Sequence, residues 1–107
     1  MAVTVNIYYT GTNGSARRFA QEMEESGTAP RIRQIEGNIC YEYYFPMNDP
    51  ETVMLKDSWT CQAAIDEFHA SPMMDVITEL REKYDLHMKV ERYVSDSGPV
   101  DEKFIRK

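Results

Sequence analysis

The side chains in this chain that could do chemistry are few: two histidines, two cysteines and a surplus of aromatic residues. His69 follows Phe68 and lies near Ile65 and Met73 in helical spacing. It either lines a pocket beneath Trp59 or stands as an ordinary helix-edge histidine. His87 alternates with apolar neighbours, so it points to a solvated or interface side. Cys40 and Cys61 form no motif and read as two reduced thiols. His, Cys, Asp and Glu show no metal-ligand spacing, so no metal is expected. No Ser-His-Asp, Cys-His or paired-carboxylate arrangement emerges from spacing.

Tyr8, Tyr41, Tyr43, Tyr44 and Trp59 are many aromatics for 107 residues. Most should pack in the core or an interface, and the same rings could wall a flat apolar cleft for an aromatic ligand. The seven methionines read as adaptable core fillers. The Gly/Thr/Asn/Ser loop from Tyr8 to Ser15 could cradle a phosphate on backbone N–H groups. It lacks GxGxxG and GxxxxGK[ST] and is not followed by a series of βα units, so it reads as a turn.

The elements that must position these groups follow from periodicity. Val3, Val5, Ile7 and Tyr9 alternate with Thr4, Asn6 and Tyr8, as in a half-buried strand. Ser15 is a plausible N-cap for a helix with Ala16, Phe19, Ala20 and Met23 on one face. Ser26-Gly27 ends it, and Pro30 suits a short helical piece carrying Ile32. Ile39–Phe45 and Thr52–Lys56 read as strands joined by the turn formers Pro46–Pro50, with Trp59 closing the second. Thr60 is the expected cap of the next helix, whose inward stripe is Cys61, Ala64, Ile65 and Phe68. Ser71-Pro72 restarts it, with Met73, Ile77, Leu80 and Tyr84 inward and Glu79, Arg81, Glu82 and Lys83 mostly outside. Leu86–Val94 alternates again as a fourth strand.

The order β-α-β-β-α-β, with both crossovers on one sheet face, predicts a ferredoxin-like α+β fold with an antiparallel four-stranded sheet. The other face still carries Tyr, Met and Cys side chains, which a second copy stacked sheet to sheet would cover. A homodimer is therefore expected. The net charge of −6 disfavours nucleic acid, whose phosphates call for Lys and Arg clusters. No apolar run approaches the ~20 residues of a membrane helix, and no signal peptide opens the chain, so a cytoplasmic protein is expected.

The run Ile35-Glu36-Gly37-Asn38 with Tyr41, then Asp49-Pro50-Glu51, Leu55, Trp59, Ala64-Ile65, Ser71-Pro72 and the last strand, resembles the antibiotic-biosynthesis monooxygenase (ABM) family, also called quinol monooxygenases. The resemblance spans about residues 3–94. It places the domain at 1–94, followed by a polar tail, 95–107. It implies a dimeric α+β barrel of two ferredoxin-like subunits that oxidises quinols or polycyclic phenols with O2 and no cofactor. Trp59 carries over as a pocket residue, and Asn6 more loosely, from an asparagine on the first strand. Phe68 and Met73 stand where many members carry histidines. The expected site is therefore Trp59, Phe68, Tyr41 and Met73 around a small aromatic molecule, with His69 or Asn6 contacting its phenol oxygen. The alternative is a dimer of the same fold that binds a small ligand without turnover, or an isomerase.

Overall fold

A computed structural model describes residues 1–107. Strands β1 (Val3–Thr10), β2 (Asn38–Tyr44), β3 (Thr52–Trp59) and β4 (His87–Val94) form one sheet in the order β2-β3-β1-β4. Every adjacent pair is antiparallel, with Val3 opposite Trp59 on one side and Val94 on the other. The crossovers are α1 (Ser15–Glu25) with α2 (Thr28–Arg33), and α3 (Gln62–His69) with α4 (Met73–Lys83). This is the expected ferredoxin-like order, each crossover being split into two helices.

Side-chain alternation decides which residues meet the helices. Val3, Val5, Ile7 and Tyr9 of β1 share a face with Trp59, Asp57, Leu55 and Val53 of β3. The helices lie on that face. Phe19 and Met23 of α1, Ile32 of α2, Ile65 and Phe68 of α3, and Ile77 and Leu80 of α4 close a single core with it. In β2 the register slips between Asn38 and Cys40, a bulge that turns Ile39 out to solvent and brings Tyr41 and Tyr43 inward.

The helix starts differ from the expected caps. Gly14, in the left-handed region at φ 80°, precedes α1, and the Ser15 hydroxyl accepts from the Thr12 N–H instead of capping the helix. Cys61 rather than Thr60 occupies the N-cap of α3. Ser71 closes α3 by donating to the Phe68 carbonyl, and Pro72 sits at the N-cap of α4. Ser15 and Ser71 spend their hydroxyls on nearby backbone, as Ser often does, while the Thr60 hydroxyl donates to Cys61 Sγ.

Gly37 ties the two halves together. Its φ is 92°, its carbonyl accepts from the Thr60 N–H at 2.8 Å, and an added Cβ would sit 2.9 Å from that of Ala64. Gly37→Ala should cost about 1–3 kcal/mol of stability, from left-handed strain plus the clash. Urea unfolding that matched the wild type would contradict this account of the β2–α3 junction.

Candidate functional site

The helices do not seal the whole sheet. Between the sheet and the α3–α4 pair lies a cavity of about 260 Å³. Val5, Ile7 and Leu55 form its floor and Ile65, Phe68, Met74 and Ile77 its roof, while Met88 and Val90 of β4 lie at the incompletely covered side. Five residues with polar groups reach it: Tyr9 from β1, Tyr41 from β2, Asp57 from β3, His69 from α3 and Arg81 from α4.

Asp57 is the unusual member. It sits on the core face of β3, opposite Val5 and Tyr41, and is only 6% exposed. Trp59, two residues on and fully buried, donates its indole N–H to Asp57 Oδ1 at 2.6 Å. Oδ2 has no protein donor, and the residue lines the cavity. Burial pushes the carboxyl up to about 6, against the downward pull of the indole N–H. A carboxylate so placed can take a proton near neutral pH. Burial also pushes Tyr9 up to about 12, with Arg81 opposing, and holds Tyr41 well above the usual phenol range. Both phenols therefore stay protonated and can donate hydrogen bonds.

The residues expected at the site are not all at the cavity. Tyr41, Phe68 and His69 line it, and His69 is exposed at the rim. Trp59 does not line it. Its ring is fully buried and stacked on Phe68, with centroids 4.9 Å apart, so it acts on the cavity through Phe68 and Asp57. Met73 packs against the core while its neighbour Met74 reaches the cavity. Asn6 alternates onto the opposite sheet face, with Thr4 and Tyr8. Arg81, expected outside, lines the cavity because it continues the Met74–Ile77 stripe of α4.

Asp57 went unread in the sequence, yet the signal was there. Val53, Leu55, Asp57 and Trp59 keep strand alternation, which puts a carboxylate on the buried face. Two other features resolve as structural. The Tyr8–Ser15 loop has its amides taken: the Gly14 N–H by Glu51 Oε1 and the Gly11 N–H by the Glu51 carbonyl. A wider open groove of about 670 Å³ runs between α1 and β2, but its Glu24 pairs with Arg33, and its Arg17 stacks on Phe45. No group of three or more His, Cys, Asp and Glu residues is placed to hold a metal ion, and no helix is long and apolar enough to cross a membrane.

Comparison with known proteins joins this geometry to a family. Residues 2–80 match the profile of antibiotic biosynthesis monooxygenases. The chain belongs to that family. A Deinococcus radiodurans protein that carries the same family description superposes with a TM-score of 0.78 at 15% identity, over 94% of this chain and 97% of that one. SnoaB of Streptomyces nogalater, a cofactor-independent oxygenase, gives 0.74 at 13% identity, over 91% and 95%. A conserved Methanosarcina mazei protein gives 0.75 at 18%, over 90% and 94%. At these identities the likeness establishes the shared fold. No curated protein matches the sequence.

The environment of Asp57 has a consequence for stability. The native carboxyl keeps its proton to about pH 6, whereas the ordinary value is 3.8. Between those values the folded state binds more protons than the unfolded one, so this group's contribution falls as pH rises through the window. Asp57→Asn removes the titration. It should be more stable than wild type at pH 8, by about 1–3 kcal/mol, with the gap closing near pH 4. Thermal melts across that range test it, and a variant less stable at pH 8 would refute the desolvation argument.

Proposed function

We propose that this ABM-family chain is a cofactor-independent monooxygenase acting on a small electron-rich phenol or quinol. The observation that carries the reading is the Asp57 carboxyl. It is raised to about 6, held by Trp59, and open on one oxygen to an apolar cavity walled by Tyr41 and Phe68. A cavity of about 260 Å³ is small among ligand sites and suits one or two fused rings better than a longer polycycle.

In this reading Asp57 takes the acidic proton of the ring system, leaving a resonance-stabilised anion. The protonated phenols of Tyr9 and Tyr41 stabilise the oxygen that carries the charge. The anion supplies the electrons. Its carbon forms a bond to O2, the peroxide takes up a proton, and loss of water leaves a carbonyl on the ring. One oxygen atom enters the product and the other leaves in water, so a ring C–H of the phenol, a CH2 in its keto form, becomes C=O without an external reductant. Phe68 and Ile65 keep bulk water from the anion. His69, at the rim, would exchange the proton with solvent.

A second reading keeps Asp57 as base and omits oxygen. Phe68 and Met73 stand at positions where relatives carry histidines, and proton transfer alone would suit an isomerase or a binding protein. Oxygen consumption with a naphthohydroquinone-type substrate separates the two. Turnover should stop without O2 and resume on aeration. Turnover unchanged under nitrogen would refute the oxygenase reading.

Asp57→Asn should lower kcat about 10²–10⁴-fold. The wild-type rate should rise with pH through about 6, as the carboxyl ionises. The other groups facing Asp57 across the cavity are Tyr9, Tyr41, His69 and Arg81. A rising limb near pH 6 that persisted in Asp57→Asn would remove Asp57 as the base.

We also propose that two copies stack through the sheet face the helices leave open. Thr4, Asn6, Tyr8, Met54, Lys56 and Ser58 lie there, and Asn6 Oδ1 is buried without a partner. The face mixes apolar and charged groups, so cross-paired polar contacts would accompany burial of Tyr8 and Met54. Light scattering at micromolar concentration should give twice the chain mass, and a monomer would count against the dimer.

A further inference from the structure

Arg81 is a cation without an anion. Its two terminal nitrogens donate to Met88 Sδ at 2.9 Å and Thr78 Oγ1 at 3.3 Å, and its Nε is buried with no partner. A thioether is a weak acceptor and a hydroxyl a neutral one, so the guanidinium fork is poorly used. The chain has 18 acidic residues against 12 basic ones, so carboxylates are not scarce. Even so, its ion pairs are Arg33–Glu24, Lys83–Glu22, Lys89–Glu91 and Lys107–Glu102, none of which involves Arg81. A part-buried guanidinium lacking an acceptor is costly unless something else supplies one.

The geometry says where that acceptor would sit. Arg81 touches Met88, which pairs with Tyr9, while Asp57 lies in the row of Val5 and Tyr41. Those rows are four residues apart, roughly 13 Å along the strands before the side chains reach inward. The cavity thus has an acid–base pole and a cationic pole, with apolar walls between them. Tyr9 lines the same cavity, in the row of Met88.

We propose that the cavity selects a hydroxyaromatic carboxylate, with its carboxylate paired to Arg81 and its phenolic side toward Asp57. This rests on the reading of the cavity as the ligand site and adds the class of ligand. The fork of the guanidinium matches a carboxylate through two parallel N–H bonds, and Nε is the donor left free to complete such a pair. Arg81 is then a specificity-determining residue. It sets which phenol binds, while Asp57 remains the base.

The test is a calorimetric titration of the intact protein with 6-hydroxy-2-naphthoate, whose hydroxyl and carboxylate lie at opposite ends of the ring system, and with 2-naphthol, which shares the rings and lacks the charge. Wild type should prefer the acid by about tenfold or more. Arg81→Met, which keeps an apolar stem against Met88, should lose that preference and bind 2-naphthol within about twofold of wild type. Arg81→Lys should retain part of it, because an ammonium keeps the charge and loses the fork. Thermal melts establish that each variant is folded, and Arg81→Lys serves alone if Arg81→Met does not fold.

A purely structural Arg81 would weaken both ligands alike and leave their ratio unchanged, which would overturn the proposal and leave the oxygenase reading standing. Equal affinity of wild type for the two probes would overturn it in the same way. Failure of both probes to bind would remove the cavity as a ligand site, and this proposal with it.

Discussion

A carboxylate inside a protein is tolerated only where something holds it, and here the holder is an indole. Trp59 reaches Asp57 through a 2.6 Å hydrogen bond made within the core face of one strand. The contact joins residues two apart, so strand geometry presents both on the same side. Without that donor Asp57 would have no hydrogen bond in an apolar surround, where an unpaired charge is strongly penalised. With it, one oxygen is anchored and the other is left to the cavity. The raised carboxyl is thus a product of incomplete satisfaction: one partner is enough to keep the group in place and too little to make it an ordinary acid.

The cavity itself comes from how unevenly the helices cover the sheet. On one half, α1 and α2 pack tightly: Phe19 and Met23 are fully buried, and Tyr9, Tyr43 and Tyr84 surround the Phe19 ring. On the other half the crossover breaks at Ser71-Pro72 into α3 and α4, leaving Met88, Val90 and Val94 of β4 partly uncovered. A single sheet face therefore serves as solid core and as cavity wall. The stacked Trp59–Phe68 pair marks the boundary between them: the indole is in the core, and its partner faces the void.

The fold could be read because its signals are local and repeated. Period-two alternation in Val3–Tyr9 and the i, i+3, i+4, i+7 spacing of Ala16, Phe19, Ala20 and Met23 each need only a short window, and all of these helix residues are buried. The site could be read only in part. Tyr41 came from the surplus of aromatic residues, His69 from its place at a helix edge and Phe68 from the family resemblance, and all three line the cavity. Trp59 was expected as a wall because large rings often are. Its depth depends on how far α3 descends over β3, which no window of sequence reports. The Ile39 bulge is likewise silent in the sequence, yet it decides that Tyr41 points inward.

The amino-acid order alone therefore determined the succession of strands and helices, the antiparallel hairpin and the face that β1 and β3 bury, because these follow from dihedral periodicity and turn chemistry over a few residues. It also placed Asp57 in phase with Leu55 and Trp59. Only the tertiary structure decided that this carboxylate meets Tyr9, Tyr41, His69 and Arg81 around a void. Those residues come from five separate elements, and the distance between their side chains depends on how closely the helices pack over the sheet. Packing is a property of the assembled chain. It decides what is buried, and burial gives the Asp57 carboxyl its chemistry.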